Sequence, residues 1–497
     1  MEIEFKLSCT PRTAATLGRK LTRLTGMPPQ KLRLQNTYYD TPNQDLRAHG
    51  IALRIRKQGN TTLQTVKCAG IVSGGLSSRP EWETPYGDRF DFSAVTDARV
   101  RDQLEILARL PGYRATLDTH FSRHVWHWRP DADTHVEIVL DRGRILAGGR
   151  EEGICEIELE LASGAPERLL DLVAHLGTLA PLFPCPLSKA TRGNLLLAGP
   201  GKSPAPDMVQ AANCHDAFVA LAQDCLDHIS INLPANCSRF SAEHLHQARA
   251  GMRRLRALLQ LFRPLLRRGW PCSEIERGAQ RHMAALAPAR NLHVFLTDLV
   301  APAATSVDPR SGQRLQRHLV DMSQTAFATA EAHLQTREFS DWLLHSSLAL
   351  HARPMSDKAA ARSWTTQARK LIQCQLEAYD QKLHHVRHTP AALHKVRKAG
   401  KHLRYQLAVS TPADTPHPHA AGKRLSRLQD TLGALNDLYS AADIANRLPA
   451  SYAPIIAAIG SHHIERHEAL RKQAFAQLKH LRRDIRALRS EYRKARQ

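Results

Sequence analysis

The sequence predicts a multidomain α+β protein: an antiparallel β domain first, an all-α helical bundle after it. Three observations predict this. Apolar residues alternate with others in seven stretches before residue 200, at 2–7, 51–57, 62–68, 79–84, 121–128, 135–141 and 154–161. From residue 207 onward the spacing is helical throughout, which predicts eight to ten helices. The charge divides at the same place: residues 1–200 hold 26 Lys+Arg against 23 Asp+Glu, and residues 201–497 hold 43 against 24, within a total of +22. Many antiparallel strands in one domain imply a barrel or a sandwich.

The 497 residues suffice for two to four domains at roughly 150 each, and a hydrophobic fraction of 42% supports packed cores. The opening stretch "MEIEFKL" is a strand with Ile3, Phe5 and Leu7 on one face and Glu2, Glu4 and Lys6 on the other. Short helices are expected at 11–25, 97–109 and 166–176. "AGPGKSPAP" at 198–206 reads as a linker. Its "GKS" is not a phosphate-binding loop, because Leu196 stands where the first glycine is needed and Pro204 follows where a helix should start. Neither a signal peptide nor a membrane span is expected. Nine scattered cysteines, with no CxxC pair, fit reduced thiols and a cytoplasmic setting.

The helical half repeats itself. "HQARAGMRRLR" (246–256) and "HKVRKAGKHLR" (394–404) align without gaps, 148 residues apart. His246, Arg249, Arg253 and Arg256 match His394, Arg397, Lys401 and Arg404, each quartet along one side of a helix over roughly 15 Å of rise. Met252, Leu255, Leu259 and Phe262 form a separate apolar stripe on the first helix, as do Val396, Leu403 and Leu407 on the second. Two such units predict a pair of bundles related by a pseudo-twofold. A net charge of +19 in this half points to a polyanion partner.

The β half carries charge on strand faces: Arg54 and Arg56, Thr65 and Lys67, Glu81 and Glu83, Glu137 and Asp141, then Glu156, Glu158 and Glu160 in a row. Like charges about 7 Å apart on one face repel by roughly 2 kcal/mol at an effective dielectric near 20. Such a face is either solvated among interleaved cations or enclosed around divalent metal and an anion. Clustered carboxylates suit Mg²⁺ or Mn²⁺, and Arg with Lys on the same surface suits phosphate oxygens.

These motifs resemble the CYTH family, the triphosphate tunnel metalloenzymes. The resemblance rests on "EIEFK" (2–6), "YYDTP" (38–42), "LRIRK" (53–57), "RPEWE" (79–83), "LDRG" (140–143), "EIELEL" (156–161) and "SKATRG" (188–193), and covers residues 1–197. It implies an eight-stranded antiparallel barrel whose charged residues line a tunnel. It implies Glu2, Glu4, Glu156 and Glu158 as metal ligands, with Glu81, Glu83, Glu137 and Glu160 as further candidates for holding metal or positioning water. It implies Lys6, Arg54, Arg56, Lys67, Arg123, Lys189 and Arg192 as the triphosphate grip, and Glu4, Glu156 and Lys67 as catalytic. Metal and cations would neutralise the phosphates while a metal or carboxylate orients a water in line with the terminal phosphorus.

The helical half, 207–497 with repeats at about 207–350 and 351–497, resembles the CHAD domain through "HQARAGMRRLRALLQLF" (246–262), "HKVRKAGKHLRY" (394–405) and "LQDTLGALND" (428–437). Such domains bind inorganic polyphosphate. The resemblance therefore implies that both quartets, with Arg254, Lys398 and Lys423, line a polyphosphate surface. Where the family has an RDxDV-like segment this chain has "RNLHV" (290–294), with Asn291 and His293 in place of acids.

The expected function is metal-dependent hydrolysis of inorganic triphosphate to pyrophosphate and phosphate, with polyphosphate bound by the helical domain. The expected location is cytoplasmic, extending to polyphosphate granules, with no membrane partner. The alternatives are adenylate cyclase, thiamine-triphosphatase or nucleoside-triphosphatase activity in the same tunnel, a polyphosphate-binding protein without turnover, or a non-specific nucleic-acid binder. Aromatic residues make up 5% of the chain, which weighs against a base-stacking platform.

Overall fold

A computed structural model describes the backbone of residues 2–198, 211–410 and 416–494, apart from 69, 74–75, 111, 238, 304–306, 353, 385 and 387–388; the side chains of 2, 71–79, 198, 409–421 and 492–494 lie outside the described residues. Nearly all of the expected linker, 199–206, also lies outside them. The chain forms two compact units: Met1–Pro204 with Leu226–Phe240 and Leu334–His351, and Ala205–Cys225 with Ser241–His333 and Ala352–Gln497.

The first unit runs β1 (Glu2–Ser8), α1 (Pro11–Thr25), β2 (Gln30–Asp40), α2 (Asp45–Ala48), β3 (Ile51–Gln58), β4 (Thr61–Cys68), β5 (Ile71–Ser73), β6 (Leu76–Arg79), β7 (Glu81–Pro85), α3 (Ala98–Arg109), β8 (Arg114–Trp128), β9 (His135–Ala147), β10 (Arg150–Ser163), α4 (Pro166–Leu179), β11 (Phe183–Pro184) and α5 (Lys189–Ala198). Local chemistry sets the ends. Thr10 caps α1 by accepting from the Thr13 amide at 3.2 Å, Pro11 opens it, and Gly26 closes it at φ 73°. Asp97 caps α3 through the amides of Arg99 and Val100.

The strands form one antiparallel sheet in the order β5-β6-β1-β10-β9-β8-β2-β3-β4-β7, with β11 paired to β1. This corrects the expected closed eight-stranded barrel: eleven strands are described, in a ladder that ends at β5 and β7. The reason is local. Pro80 has no N–H to donate and splits one extended run into β6 and β7, while short β5 and β11 add to the edges. The sheet is nevertheless strongly curled. Five strand steps separate β10 from β4, roughly 24 Å if flat, yet the Lys67 charge on β4 reaches Glu160 on β10.

The outer face is apolar. Phe5, Leu7, Ile138, Leu140, Ile157 and Leu159 pack beneath Leu17 and Leu21 of α1 and Leu169, Leu172, Val173 and Leu176 of α4. A helix from far along the chain, Arg337–Ala349, joins this core through Leu344. Ser340 Oγ donates to the Leu182 carbonyl at 2.9 Å and accepts from its amide at 2.9 Å. Gly177 on α4 admits the close approach of Leu344.

The second unit is helical and continues the numbering: α6 (Cys214–Ser230), α7 (Ala242–Phe262), α8 (Cys272–Ala285), α9 (Ala287–Val294), α10 (Pro309–Leu334), α11 (the Arg337–Ala349 helix of the first unit), α12 (Asp357–Ala360), α13 (Trp364–His384), α14 (Pro390–Ser410), α15 (Pro416–Ala445), α16 (Ala453–His462) and α17 (Ile464–Lys494). The predicted stripes are buried: Met252, Leu255, Leu259 and Phe262 on α7, and Val396, Leu403 and Leu407 on α14. Phe262 lies between Phe218 at 5.1 Å and Trp364 at 4.9 Å. The pseudo-twofold pair of bundles is not supported. The two similar segments are the adjacent helices α7 and α14, joined by Gln406 Nε2 donating to the Ala257 carbonyl and by His402 against Gln260. α7 packs on α8 and α9, and α14 on α13 and α15. The repetition gives two helices facing one shared cluster, not two copies of a bundle.

One tight spot tests the inner packing of the sheet. A Cβ on Gly143 of β9 would collide with the His120 carbonyl and lie 2.5 Å from Phe121 Cα. Gly143→Ala is expected to destabilise the first unit by about 2 kcal/mol or more, read as a lowered urea midpoint.

Candidate functional site

Period-two alternation carries one set of side chains to the inner face of the sheet, and register brings them together. Glu4 stands opposite Glu160, and Lys6 opposite Glu158. Across β9, Glu156 faces Asp141 and Glu160 faces Glu137, and Arg123 faces Asp141 in turn. Arg54 and Arg56 of β3, Thr65 and Lys67 of β4, and Glu81 and Glu83 of β7 complete the face through their own pairings.

The buried charges interlock. Lys6 Nζ lies 3.0 Å from Glu158. Arg123 grips Asp141 with two nitrogens, at 2.9 and 2.8 Å, and reaches Glu158 at 2.8 Å. Lys189, delivered by α5, meets Asp141 at 2.8 Å, Glu158 at 3.1 Å and Glu156. Arg192 joins Glu152 at 2.6 Å and Glu156 at 3.2 Å. On the other side Lys67 pairs with Glu81 at 2.5 Å, and Arg56 with Glu83 at 3.4 Å. Arg54 is buried, its Nε has no hydrogen-bond partner, and its Nη2 has a 3.6 Å ion contact to Glu81.

These environments set the ionisation. Burial works against the Glu158 carboxylate, but Lys189, Lys6 and Arg123 hold it well below the usual range. Glu160 is the reverse: burial, then the like charges of Glu158 and Glu4, push it up to about 7. Burial also opposes ionisation of Tyr38, yet Arg54 draws its hydroxyl below the ordinary value. Burial and the neighbouring Arg54 lower Arg56 to about 10.

Two carboxylate groups can hold a cation, Glu4–Glu158–Glu160 and Asp141–Glu156–Glu158, each with oxygens within 4.8 Å of one another. The second is already closed by Lys189, Arg123 and Arg192. In the first, Glu160 is raised to about 7 by burial and by the charges of Glu158 and Glu4. An all-oxygen donor set fits Mg²⁺ or Mn²⁺. Of the expected ligands, Glu4, Glu156 and Glu158 lie on this face, and the Glu2 side chain lies outside the described residues. Asp141, fully buried, was expected only to share a face with Glu137 and proves to be the hub of two cations. Asn36, Tyr38 and Glu152 also hold the cations in place.

The helical unit has its own cluster. A cavity of about 420 Å³ is lined by His246, Arg253, Lys401, Arg404 and Arg466, with Asp298, Asp430 and Asp437 as acids. Asp298 comes from a π-helical turn, Phe295–Val300, that continues α9. The Nε atoms of Arg249, Arg253, Arg397 and Arg404 are buried without hydrogen-bond partners. Burial, then Arg397, Arg253 and Arg404, lowers the Lys401 ammonium to about 7. Burial, Arg253 and Arg290 lower His246 to about 4.

So Arg249, Arg253, Arg397, Lys401 and Arg404 converge. The other predicted members do not all join them. Arg254 turns to Asp224, and Arg256 to Glu276 at 3.6 Å. His394 bonds Asn436 at 2.6 Å. Lys398 and Lys423 are exposed, as is Asn291. Arg290, unmarked in the sequence reading, acts on His246, Arg249 and Asp437.

A curled sheet lined by carboxylates and cations stands in one chain with a cationic helical unit, which defines a two-part protein. The chain is a CYTH–CHAD protein: the CYTH domain matches residues 1–193 and the CHAD domain residues 220–446. It is 36% identical over 197 residues to the inorganic triphosphatase of Haemophilus influenzae, an alignment covering 39% of this chain and 54% of that protein. The chain thus spans about half the length of that relative. Among solved structures, HpAC1 from Hippeastrum, titled as having a dominant triphosphatase activity, covers 40% of this chain and 96% of its own, at 20% identity and TM-score 0.31. The CHAD domain from Ricinus communis covers 58% and 98%, at 23% identity and TM-score 0.48. Among the described residues no helix is long and apolar enough to cross a membrane.

Glu160 would give a cation held by this carboxylate group a pH dependence with a definite sign. Its raised value means that the metal-free fold is stabilised by protonation and gains stability as pH falls through 7. A cation needs the ionised form, so uptake below pH 7 releases a proton and weakens by about tenfold per pH unit. Calorimetric titration with Mn²⁺ in buffers of different ionisation heat is expected to show that slope in the native protein and lose it in Glu160→Gln.

Proposed function

We propose that the first unit is a metal-dependent inorganic triphosphatase and that the second unit binds polyphosphate. The observation that carries this reading is the curled inner face, where buried carboxylates and cations neutralise one another and burial beside Glu158 and Glu4 raises Glu160 to about 7. The H. influenzae relative supports the activity. The path of β6, on β1, and β7, on β4, with Pro80 alone between them supports a sheet that wraps into a tunnel.

Glu4, Glu158 and Glu160 would hold a divalent ion, which when bound supplies charge neutralisation and an activated water. The rest is done by the chain. Arg54, Arg56 and Lys67 have acidic partners on β7 that exchange for phosphate oxygens as the substrate enters. Lys6 and Arg123 keep Glu158 ionised and present their remaining donors to the phosphates. Lys189 and Arg192 fix Glu156 from α5, so the inner end of the face stays rigid. A phosphoryl transfer with a loose transition state needs this positioning more than a nucleophilic side chain.

In the second unit, Arg249, Arg253, Arg397, Lys401 and Arg404 form a cluster whose positive charge exceeds that of the acids beside it, Asp298, Asp430 and Asp437. A linear polyanion would restore the depressed Lys401 and satisfy the idle guanidinium nitrogens.

Phosphate release from tripolyphosphate is expected to require Mg²⁺ or Mn²⁺, to stop with chelator, and to fall by roughly 100-fold in Glu4→Ala. Rates that survive chelation and Glu4→Ala would remove the metal assignment. Long-chain polyphosphate is expected to bind the full chain less tightly as pH rises through 7, because Lys401 then loses its proton. Fluorescence anisotropy on Lys401→Gln should show that dependence flattened and the whole affinity reduced. A matching loss of salt sensitivity in Arg253→Ala would mark a direct phosphate contact.

A further inference from the structure

We propose that His127, His135 and Glu137 form a further metal site, at the end of the inner face, for a divalent ion of the imidazole-binding class such as Zn²⁺. The three residues lie at the hairpin of β8 and β9. His127 stands opposite Glu137 in register, and His135 lies two positions before Glu137 on the same face of β9. Their donor atoms lie within 4.8 Å of one another. His127 Nδ1 is 3.0 Å from His135 Nε2 and 3.8 Å from Glu137 Oε1.

Those separations suit a metal. Ligand atoms at about 2.1 Å around a tetrahedral ion stand roughly 3.4 Å apart, so a small adjustment of side chains already close together would seat one. The proton now shared between the imidazoles moves to an outer ring nitrogen by tautomer exchange, with no change of charge. The ladder holds the ligands firmly. The turn between the strands is fixed by Asp131, whose carboxylate accepts from the Thr134 amide at 2.7 Å and from Arg168 at 2.8 Å. His127 is about half exposed at its side chain, which leaves a path of entry.

The donor chemistry separates this site from the carboxylate groups. Two imidazoles and one carboxylate prefer a borderline ion, whereas the all-oxygen groups prefer Mg²⁺ or Mn²⁺. Among the described residues no Lys or Arg forms an ion pair with Glu137, in contrast to Asp141 farther along β9. Three protein ligands leave a coordination position for water or a phosphate oxygen. Glu137 faces Glu160 in register, so the ion would neighbour the site proposed for Mg²⁺. Its role, as an anchor for one end of a phosphate chain, rests on the triphosphatase reading; the metal site itself does not.

The test is Co²⁺ titration of the full chain in excess Mg²⁺, followed by visible absorption. Native protein should give a saturating band of imidazole-bound Co²⁺ that Zn²⁺ displaces. His127→Ala and His135→Ala should each weaken it by roughly tenfold or more, since even partners that only orient a ligand cost that much. Both lie at a half-exposed strand end, and circular dichroism would verify their folding. A band unchanged in both variants overturns the site, as does a band lost in Glu4→Gln while both histidines remain. Tripolyphosphate turnover is measured in parallel: no turnover in protein that retains the band refutes the triphosphatase reading and leaves the metal site standing.

Discussion

The structure of the first unit depends on the mutual neutralisation of charges on one buried face. An isolated buried ion costs several kcal/mol, and a pair recovers that only with good geometry and further hydrogen bonds. Lys189 meets three acids, Arg123 two, and Glu158 three cations, so no single contact carries the face. This has a consequence for the fold. With this part of the inner face given to charge, the apolar residues on the opposite face of the same strands need α1 and α4 as covers. The rest of the inner face is apolar, where Leu34, Leu117, Phe121 and Ile145 pack with Ala190 and Leu196 of α5.

The two units treat charge in opposite ways. The inner face of the sheet is close to balanced, so on the proposed reading a phosphate substrate and a divalent ion would enter by exchanging partners: cations would pass from carboxylates to phosphates, and carboxylates from cations to metal. The helical cluster is not balanced. Burial and Arg253 lower Arg397, and burial with Arg397, Arg253 and Arg404 lowers Lys401, while Asp437 opposes both. An added anion relieves strain of that kind, as does loss of the Lys401 proton, and a chain of repeated phosphates suits a cluster spread along two packed helices. The balanced face suits a small substrate that must be positioned; the unbalanced one suits retention of a long polymer.

Much of this was legible in the sequence, because strand period is simple. Ile3, Phe5 and Leu7 against Glu4 and Lys6 gave the two faces of β1, and the same rule placed Arg54, Lys67 and Glu158. β2 was missed because its inner face changes character along the strand, from Leu32 and Leu34 to Asn36 and Tyr38, and ends in two consecutive tyrosines. The strand count could not be read either, since a single proline divides one run into two. Asp141 stood in a recognised motif, but only the register against Arg123 and Glu156 makes it a hub. In the helices the basic ridges were plain, whereas their sharing was not. Spacing shows that Arg253 and Arg256 lie on one side of α7. It does not show that Arg256 leans to α8 while Arg253 meets α14, because that depends on where the next helix packs. Arg290 was hidden for the same reason: its position on α9 matters only once α9 lies beside α7 and α15.

The two clusters are also poised in opposite senses around neutrality. Glu160, raised to about 7, gains a negative charge as pH rises, and with it a place for a divalent ion. Lys401, lowered to about 7, loses a positive charge over the same range, and with it part of the grip on a polyanion. Both shifts arise from burial reinforced by like neighbours, the cost of concentrating charge of one sign before its partner arrives. On the proposed reading the partner in each cluster is the same kind of chemistry, a phosphate oxygen or the metal that accompanies it. A modest rise in pH would therefore favour hydrolysis in the one unit as it loosens retention in the other. That opposition needs no conformational signal between them, only two groups whose surroundings push them toward neutral pH from opposite sides.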